Sequence, residues 1–392
     1  MIKNIGIVMP GVLPVPAVQG GGIEQEIELL LRSNEKNFQF HFFVFTVKDD
    51  KATNLQGKFK HTTFINIAPW KISVKFGNLT QRLLQHFGIP FYYFPKHWFY
   101  SKVSTKISQL NLDQVIVENV PRAAIYLYNK NHFHSWLHMH NPKRFQLFSR
   151  KNRIFESITG VIGISNFILN DAVQDQPNLI DSKLRIIRNG VQLEKFSTQS
   201  LNPTRLEYYQ HKLAILPHEK VVIYVGRTLP QKGIQQLIDA VKVARKTVKN
   251  LRLLIVGGSF YKGTTETKKI LDSFITCTGF IDNSELKYLY KIADVAVFPS
   301  IAPEAAGLVQ IEAVCAGTPA LVTNSGGMAE YSLSEDFVVK LGPDFVNRLS
   351  EKILRLLSMN LKDDPLFIES ARKYSMKYTG DNALRRLAEI LS

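Results

Sequence analysis

Short apolar runs alternate with amphipathic stretches along nearly the whole chain. Residues 2–9, 38–47, 113–118 and 136–140 in the first half, and 220–225, 251–256, 278–281 and 294–298 in the second, are rich in β-branched and aromatic side chains. Runs of this kind predict the buried strands of parallel sheets, which have no polar face to offer solvent. Helical patterns lie between them: 23–32, with Ile23, Ile27, Leu30 and Leu31 on one face, a start at 122–128, and 234–246. The segment 160–168 predicts a strand running into a helix capped by Ser165 or Asn166. Residues 48–63 are polar and lysine-rich and predict a loop, 195–219 a polar connection with some helix, and 347–358 and 366–392 helix. Strand and helix alternating in both halves predict two doubly wound parallel sheets. No sequence repeat of roughly 20–50 residues is visible, which excludes a solenoid.

The densest chemistry lies in 299–331, PSIAPEAAGLVQIEAVCAGTPALVTNSGGMAEY. Pro303 suits the first turn of a helix, where a missing N–H costs nothing. Residues 308–315 are apolar apart from Gln310 and Glu312, the composition of a helix buried against a sheet, and Gly317 and Pro319 stop it. Glu304 and Glu312 are carboxylates in an apolar segment, and an unpartnered buried carboxylate is expensive. Either each pairs with a nearby Lys or Arg, or they accept hydrogen bonds from the hydroxyls of a sugar-containing ligand. In the second case Gly307 and the N–H groups opening the helix at Leu308 face the ligand's phosphates.

Three further places carry candidate chemistry. Gly20, Gly21 and Gly22 sit between a strand and a helix, the order of a nucleotide-phosphate site. They lack the G-x-G-x-x-G spacing and the Walker lysine, which disfavours dinucleotide and P-loop readings; a plain flexible loop is the alternative. Arg227 and Lys232 follow the strand 220–225 and precede a helix, where cations meet a diphosphate jointly with helix N–H groups, unless they are two solvated surface charges. His132, His134, His138 and His140 crowd one short stretch, but their spacing matches no regular zinc pattern.

Composition narrows the class. The 392 residues are 45% hydrophobic and 21% charged, a globular chain of two or three domains. Two cysteines, Cys277 and Cys315, exclude a disulfide framework and suit a reducing compartment. The opening residues are too short an apolar run and too proline-broken for a signal peptide core, and no apolar run of about 18 residues predicts a membrane span. Of the net charge of +16, +11 falls on residues 1–200. Nucleic acid, an anionic membrane and an anionic substrate are all compatible with that excess. Between Trp70 and Lys102 aromatics alternate with lysines, Lys71, Lys75 and Lys96 among them, as in interfacial membrane segments or in a core beside solvated lysines. Single-stranded nucleic acid suits the same pattern, but no recognition motif supports it.

The run P-E-A-A-G-L-V-Q-I-E-A-V-C-A-G-T-P, with seven residues between Glu304 and Glu312, the glycine among them and the closing Gly-Thr-Pro, resembles the donor-site signature of family-four retaining glycosyltransferases. That resemblance implies the GT-B fold, two Rossmann-like domains facing each other across a cleft. It implies an N-terminal acceptor domain over 1–188, completed by a last helix at about 372–392, and a nucleotide-sugar donor domain over 189–371. G-R-x4-K-G at Arg227 and Lys232 resembles the family's diphosphate-binding pair, and His140-Asn141 its active-site histidine, with His138 as the register competitor on the same strand face. Phe280 falls in a segment resembling its base-recognition loop. The implied roles are leaving-group stabilisation by Arg227 and Lys232, sugar binding by Glu304 and His140, ribose binding by Glu312, and a phosphate cradle at Gly21, Gly22, Gly307 and Leu308.

The resemblance thus implies a retaining transfer from a nucleotide sugar, UDP-linked by family habit, to a glycan, glycolipid or cell-envelope polysaccharide. It implies no cofactor and no essential divalent metal. Expected partners are the donor, a glycan or lipid-linked acceptor and an anionic membrane surface, not nucleic acid; the expected location is cytoplasmic, peripheral at the inner face of the membrane. The alternatives are a non-catalytic partner or scaffold subunit of the same fold, and a sugar-nucleotide epimerase, which needs acid–base groups near the sugar C2 that this pattern does not suggest.

Overall fold

The computed structural model describes residues 2–68, 93–142, 156–174, 183–197, 201–258 and 272–392, the side chains of 93–97 and 173 excepted. Most of the aromatic and lysine stretch between 70 and 102 lies outside the described residues. The chain forms two compact units, Met1–Arg188 with Gly380–Ser392, and Asn189–Thr379.

The first unit holds a seven-stranded sheet: β1 (Lys3–Val8), β2 (Phe40–Val47), β3 (Thr62–Ile67), β4 (Gln114–Glu118), β5 (Ser135–Met139), β6 (Ile158–Gly163) and β7 (Leu184–Ile186), in the order β3-β2-β1-β4-β5-β6-β7. The second holds a six-stranded sheet: β8 (Lys220–Val225), β9 (Leu251–Val256), β10 (Ile275–Gly279), β11 (Val295–Phe298), β12 (Ala320–Thr323) and β13 (Val338–Val339), in the order β10-β9-β8-β11-β12-β13. Every pairing between these strands is parallel. Helices therefore cover both faces, and that is why the central strands read as continuous apolar runs, with Ile5, Ile7, Val222, Ile223, Val295 and Val297 fully buried.

In both sheets the order reverses beside the first strand, between β1 and β4 and between β8 and β11. Loops leaving the carboxyl ends of strands at such a reversal form a crevice, the place where open α/β sheets bind ligands. The functional candidates of each unit gather there.

The helix Gly380–Leu391 belongs to the first unit, where Ala383, Leu384, Leu387 and Leu391 share a core with Ile27, Leu30 and Leu31 of the helix Gly22–Asn37. The contact is close at Gly380, where a Cβ would stand 2.4 Å from Ser33 Oγ and 2.8 Å from the Leu29 carbonyl. The helical stretch expected over 366–392 comprises two helices, Pro365–Met376 in the second unit and Gly380–Leu391 in the first.

Two other local readings change. Residues 48–63 are not all loop: Asp49 caps a short helix, Asp50–Gln56, its carboxylate accepting from Ala52 N at 2.9 Å, and β3 begins at Thr62. The polar composition concealed a cap that an aspartate there announces. The strand expected at 278–281 begins and ends earlier: β10 spans Ile275–Gly279 and stops because Gly279 turns at φ 72°, which places Phe280 beyond it. Of the two cap candidates at the start of Asn166–Val173, Ser165 is the one used, accepting from Ile168 N at 3.2 Å.

Candidate active site

The loops after β8 and β11 are tied together by the backbone. A 3-10 turn, Pro230–Lys232, follows β8, and Gln231 O accepts from Ile301 N at 3.0 Å, Ala302 N at 3.2 Å and Ser300 Oγ at 3.2 Å. Gly233 then turns at φ 71°, with its α-carbon face so close to the other loop that a Cβ would lie 1.9 Å from the Pro299 carbonyl. Any side chain there would collide with backbone that has nowhere to go, so the glycine is what lets the two loops meet. The helix Ile234–Ala244 starts directly after it, buried through Ile234, Leu237 and Ile238.

This contact places Lys232 on Glu304. The lysine Nζ pairs with Glu304 Oε1, both side chains 23% exposed, and Ser300 Oγ donates to the same oxygen at 2.6 Å. Glu304 is fixed from behind as well: its carbonyl accepts from Gly327 N at 2.6 Å, in a parallel bridge to Gly326. Both sequence readings of Glu304 therefore meet in one place, since the cation it pairs with is itself a candidate site residue. Arg227 follows the positive-φ Gly226 at the end of β8 and is exposed, its carbonyl accepting from Tyr224 Oη at 2.8 Å.

The backbone engagement of Glu304 also moves the helix start. Pro303 does not sit in the first turn; the helix is Leu308–Cys315, with Gly307 at its N-cap. Gly307 has no side-chain oxygen, so no capping side chain blocks the first N–H groups, which begin at Leu308. Gln310 is buried and donates to the Met328 carbonyl at 2.9 Å, tying this helix to the loop after β12. Glu312 meets no ion pair among the described residues. Burial drives its carboxyl up to about 7, held from rising further by a hydrogen bond from Tyr290 and by the charge of Lys195. Of the two glutamates, Glu304 pairs with a lysine, and Glu312 is an unpaired carboxyl that burial raises. Phe280 stands 79% exposed just past β10.

In the first unit the glycine loop behaves as a tight turn. Gly20 and Gly21 adopt φ of 78° and 98°, and a Cβ on Gly21 would lie 2.1 Å from Glu24 Oε2; the helix then opens at Gly22 with no side-chain cap. Glu24 is buried, and its carboxyl is raised by that burial, with a further push from the charge of Glu118.

Glu118, at the carboxyl end of β4, is a residue that the sequence reading left as part of a strand. Its Oε2 lies 2.8 Å from His140 Nε2 and 3.1 Å from His138 Nδ1, and all three side chains are buried. Burial alone would raise the Glu118 carboxyl, but the two imidazoles outweigh it and hold it down at about 2. One carboxylate thus engages both His138 and His140. The ligand-type atoms of Glu118, His138 and His140 lie within 4.8 Å of one another. His132 and His134 instead pack against Tyr128. A signal for Glu118 existed in the sequence: it is a carboxylate closing an apolar strand at the sheet's reversal point. Sequence spacing did not show that β5 pairs Glu118 with His138 in register.

Comparison with known proteins agrees with this architecture. Residues 207–374 match the family model of glycosyl transferases group 1. An uncharacterized glycosyltransferase of Methanocaldococcus jannaschii is 27% identical over 217 residues, 54% of this chain and 55% of that protein. The alpha-monoglucosyldiacylglycerol synthase of Acholeplasma laidlawii is 32% identical over 147 residues, 36% of each chain. This chain therefore spans about half the length, or less, of these curated relatives. Among solved structures, Anabaena HepE in complex with UDP superposes with a TM-score of 0.71 at 18% identity, over 100% of this chain and 99% of that one. The fold is GT-B, with two parallel sheets in a mixed α/β chain.

Proposed function

We propose, from the match of residues 207–374 to the family model of glycosyl transferases group 1, that this chain transfers a sugar, with retention, from a nucleotide-sugar donor to a glycan or lipid-linked acceptor. The observation that carries the reading is the Lys232–Glu304 pair at the reversal point of the second sheet, beside an uncapped helix start at Gly307 and Leu308. A cation, a paired carboxylate and free N–H groups on one rim suit a sugar diphosphate: the cations and N–H groups take the phosphates, the carboxylate takes sugar hydroxyls.

In this reading Arg227 and Lys232 stabilise the leaving diphosphate as its charge develops, in a site where preorganised donors count more than in water. Lys232 exchanges or shares Glu304 for a phosphate oxygen, and Glu304 turns to the transferred sugar. Glu312 accepts from ribose hydroxyls and Phe280 stacks on the base. The departing phosphate oxygen takes the acceptor's proton on the same sugar face. A UDP-linked donor is the reading favoured by the HepE neighbour, which was solved with UDP.

The test is a panel of UDP-glucose, UDP-galactose, UDP-N-acetylglucosamine and GDP-mannose, each measured for thermal stabilisation and for nucleoside diphosphate release. At least one should raise Tm, because ligand that binds only the folded state adds to apparent stability, and the same one should be turned over. A donor that binds without ever releasing diphosphate, with every acceptor tried, would favour the scaffold reading; release with interconversion of the free sugar nucleotides would favour an epimerase.

The acceptor reading follows from charge and from the Acholeplasma relative, named for its diacylglycerol product. The first half of the chain carries +11 of the net charge, and Trp98 stands 40% exposed with Lys102 Nζ 4.5 Å from its ring centre. An anionic membrane attracts basic side chains by about 1 kcal/mol each, and Trp settles at headgroup depth. Among the described residues no helix is long and apolar enough to cross a membrane, so attachment in this reading is peripheral. Co-sedimentation with vesicles should rise with their phosphatidylglycerol content and fall with salt. A protein that ignores such vesicles even at low salt has a water-soluble acceptor instead.

A further inference from the structure

We propose that a cleft in the first unit, walled by Trp98, Gln19, Lys48 and Asp49, is a sugar-binding subsite that takes one neutral pyranose ring of the acceptor. Its assignment to the acceptor rests on the transfer reading above; its ability to hold a sugar ring does not.

The cleft measures about 290 Å³, at the small end of ligand pockets, which suits a single ring better than a nucleotide. It opens at the carboxyl ends of β1, β2 and β3, the side on which open α/β sheets bind ligands. Its walls are the loop after β1, residues 47–49, Ala68 and the helix Tyr93–Ile107. The protein itself holds these walls in place. Gly11 lies so close to Phe99 that a Cβ would stand 2.7 Å from the ring, and Tyr100 Oη donates to the Pro10 carbonyl at 3.1 Å. Both contacts fasten the loop to the helix. Farther along the loop, Val15 N donates to Thr46 Oγ1 at 2.9 Å and the Val15 carbonyl accepts from Gln56 Nε2 at 2.9 Å, both partners being buried. A pocket with fixed walls loses less freedom when it binds.

The lining matches the two surfaces of a pyranose, an apolar C–H face and a rim of hydroxyls that both donate and accept. For the first there is Trp98, partly exposed. Lys102 Nζ stands over one side of its indole, 4.5 Å from the ring centre, which leaves the other side for stacking. For the second, acceptors and donors come together. Gln19 Nε2 donates to Asp49 Oδ2 at 2.9 Å and Ala52 N donates to Asp49 Oδ1 at 2.9 Å, so both planar groups are held in one orientation. Gln19 Oε1 and the second lone pair of Asp49 Oδ2 remain to accept, and Trp98 Nε1 and Lys48 Nζ to donate; none of these is engaged among the described residues. The Ala52 N–H, and after it the Gln19 amide, hold the Asp49 carboxyl below its ordinary range, so this wall is ionised at neutral pH. An ionised carboxylate has no proton to offer a phosphate, whereas a hydroxyl donates to it; the cleft therefore favours a neutral polyhydroxy ligand over an anion. The sugar headgroup of a lipid lies at the depth to which Trp settles, so the same contacts serve a lipid-linked ring and a soluble glycan.

Saturation-transfer spectra of the full chain with the methyl α-glycosides of glucose, galactose, mannose and N-acetylglucosamine, no donor present, test the inference. At least one should receive saturation at its ring C–H protons. Trp98→Ala should weaken that binding about tenfold or more and Gln19→Ala roughly three- to tenfold, with UDP affinity unchanged in both. Val12 lines the cleft and is 60% exposed, so Val12→Trp fills the space without entering the core; it should abolish binding, and it serves if Trp98→Ala misfolds. The source of the ring is read with phosphatidylglycerol vesicles, with and without a diacylglycerol glycoside of the best-bound sugar. Extra co-sedimentation caused by the glycolipid, and lost in Val12→Trp, marks a lipid-linked ring. Binding of the free glycoside without that increment marks a soluble glycan, and either result supports the subsite. No binding of any of the four glycosides, binding that survives Trp98→Ala and Val12→Trp, or displacement of the sugar by glycerol 3-phosphate would each overturn the proposal. A chain that binds the glycoside here but turns over no donor would sink the transferase reading and leave the subsite standing. Full turnover in Trp98→Ala and Val12→Trp, with the acceptor's KM unchanged, would do the reverse.

Discussion

Lys232→Ala should lower kcat for nucleoside diphosphate release by roughly 100- to 1,000-fold, the range seen when a preorganised charge donor to a developing anion is removed. The donor's KM should change much less, because the interaction strengthens as the bond to the diphosphate breaks. The fold should survive: the Lys232–Glu304 pair is partly solvated, and such pairs contribute only up to about 1 kcal/mol to stability. The loop geometry does not depend on the lysine, since Gln231 O and Gly233 hold the 299–302 backbone without it. Steady-state kinetics with a thermal melt on the same sample check this. An intact kcat with a raised KM would mean that Lys232 only binds the donor in its ground state. A lysine that merely neutralises Glu304 would be recognised by another route: Glu304→Gln would then restore the loss in the double variant.

Glu312→Gln should weaken UDP binding about 10- to 100-fold at pH 8, the cost of exchanging a charge-assisted hydrogen bond for a neutral one. At pH 6 the gap should shrink, because burial has raised the wild-type carboxyl to about 7 and the wild type is itself mostly protonated there. Stability should move in the opposite sense. A carboxyl raised from 4.5 in the unfolded chain to about 7 in the fold favours the folded state only while protonated. Its cost is absent below about pH 4.5, grows through the interval and is complete above about 7, where it amounts to something on the order of 2–3 kcal/mol. Glu312→Gln should therefore unfold later than wild type in denaturant at pH 8 and together with it near pH 4.5. Calorimetry with UDP and unfolding at the two pH values measure both effects. Equal UDP affinity in the two proteins at pH 8 would remove Glu312 from ribose binding. Such a residue, which weakens the fold and strengthens a site, is what a stability–function compromise predicts.

Much of this molecule is readable without coordinates, for local reasons. Strands buried on both faces have to be apolar throughout, so β1, β2, β4, β8, β9 and β11 stand out as runs, and the helices between them show one apolar face. Gly233 and Gly21 mark points where the chain turns with positive φ, and a glycine in a loop announces that possibility. The separation of Glu304 from Glu312, and of Arg227 from Lys232, is likewise a property of the chain itself. Errors arose where a local signal was weak or a distant partner decided the outcome. The helix Asp50–Gln56 has few apolar residues to reveal it, and Pro303 is kept out of the following helix by the pairing of Glu304 with the loop after β12.

The sequence by itself determined the alternation of strand and helix, two sheets of parallel type and the residue types that a diphosphate and a sugar require, because these depend on side-chain chemistry and on neighbours a few positions away. The tertiary structure alone decided which candidates meet. Lys232 reaches Glu304 across 72 positions because β8 and β11 are sheet neighbours, and Glu118 reaches His138 and His140 because β4 and β5 pair in register. It also decided the charge each carboxyl bears: Glu118 is held down at about 2 by two imidazoles and Glu312 pushed up to about 7 by burial, although both glutamates stand in equally apolar runs. Solvent exposure and the nearest opposite charge set those values, and both are properties of the packed fold.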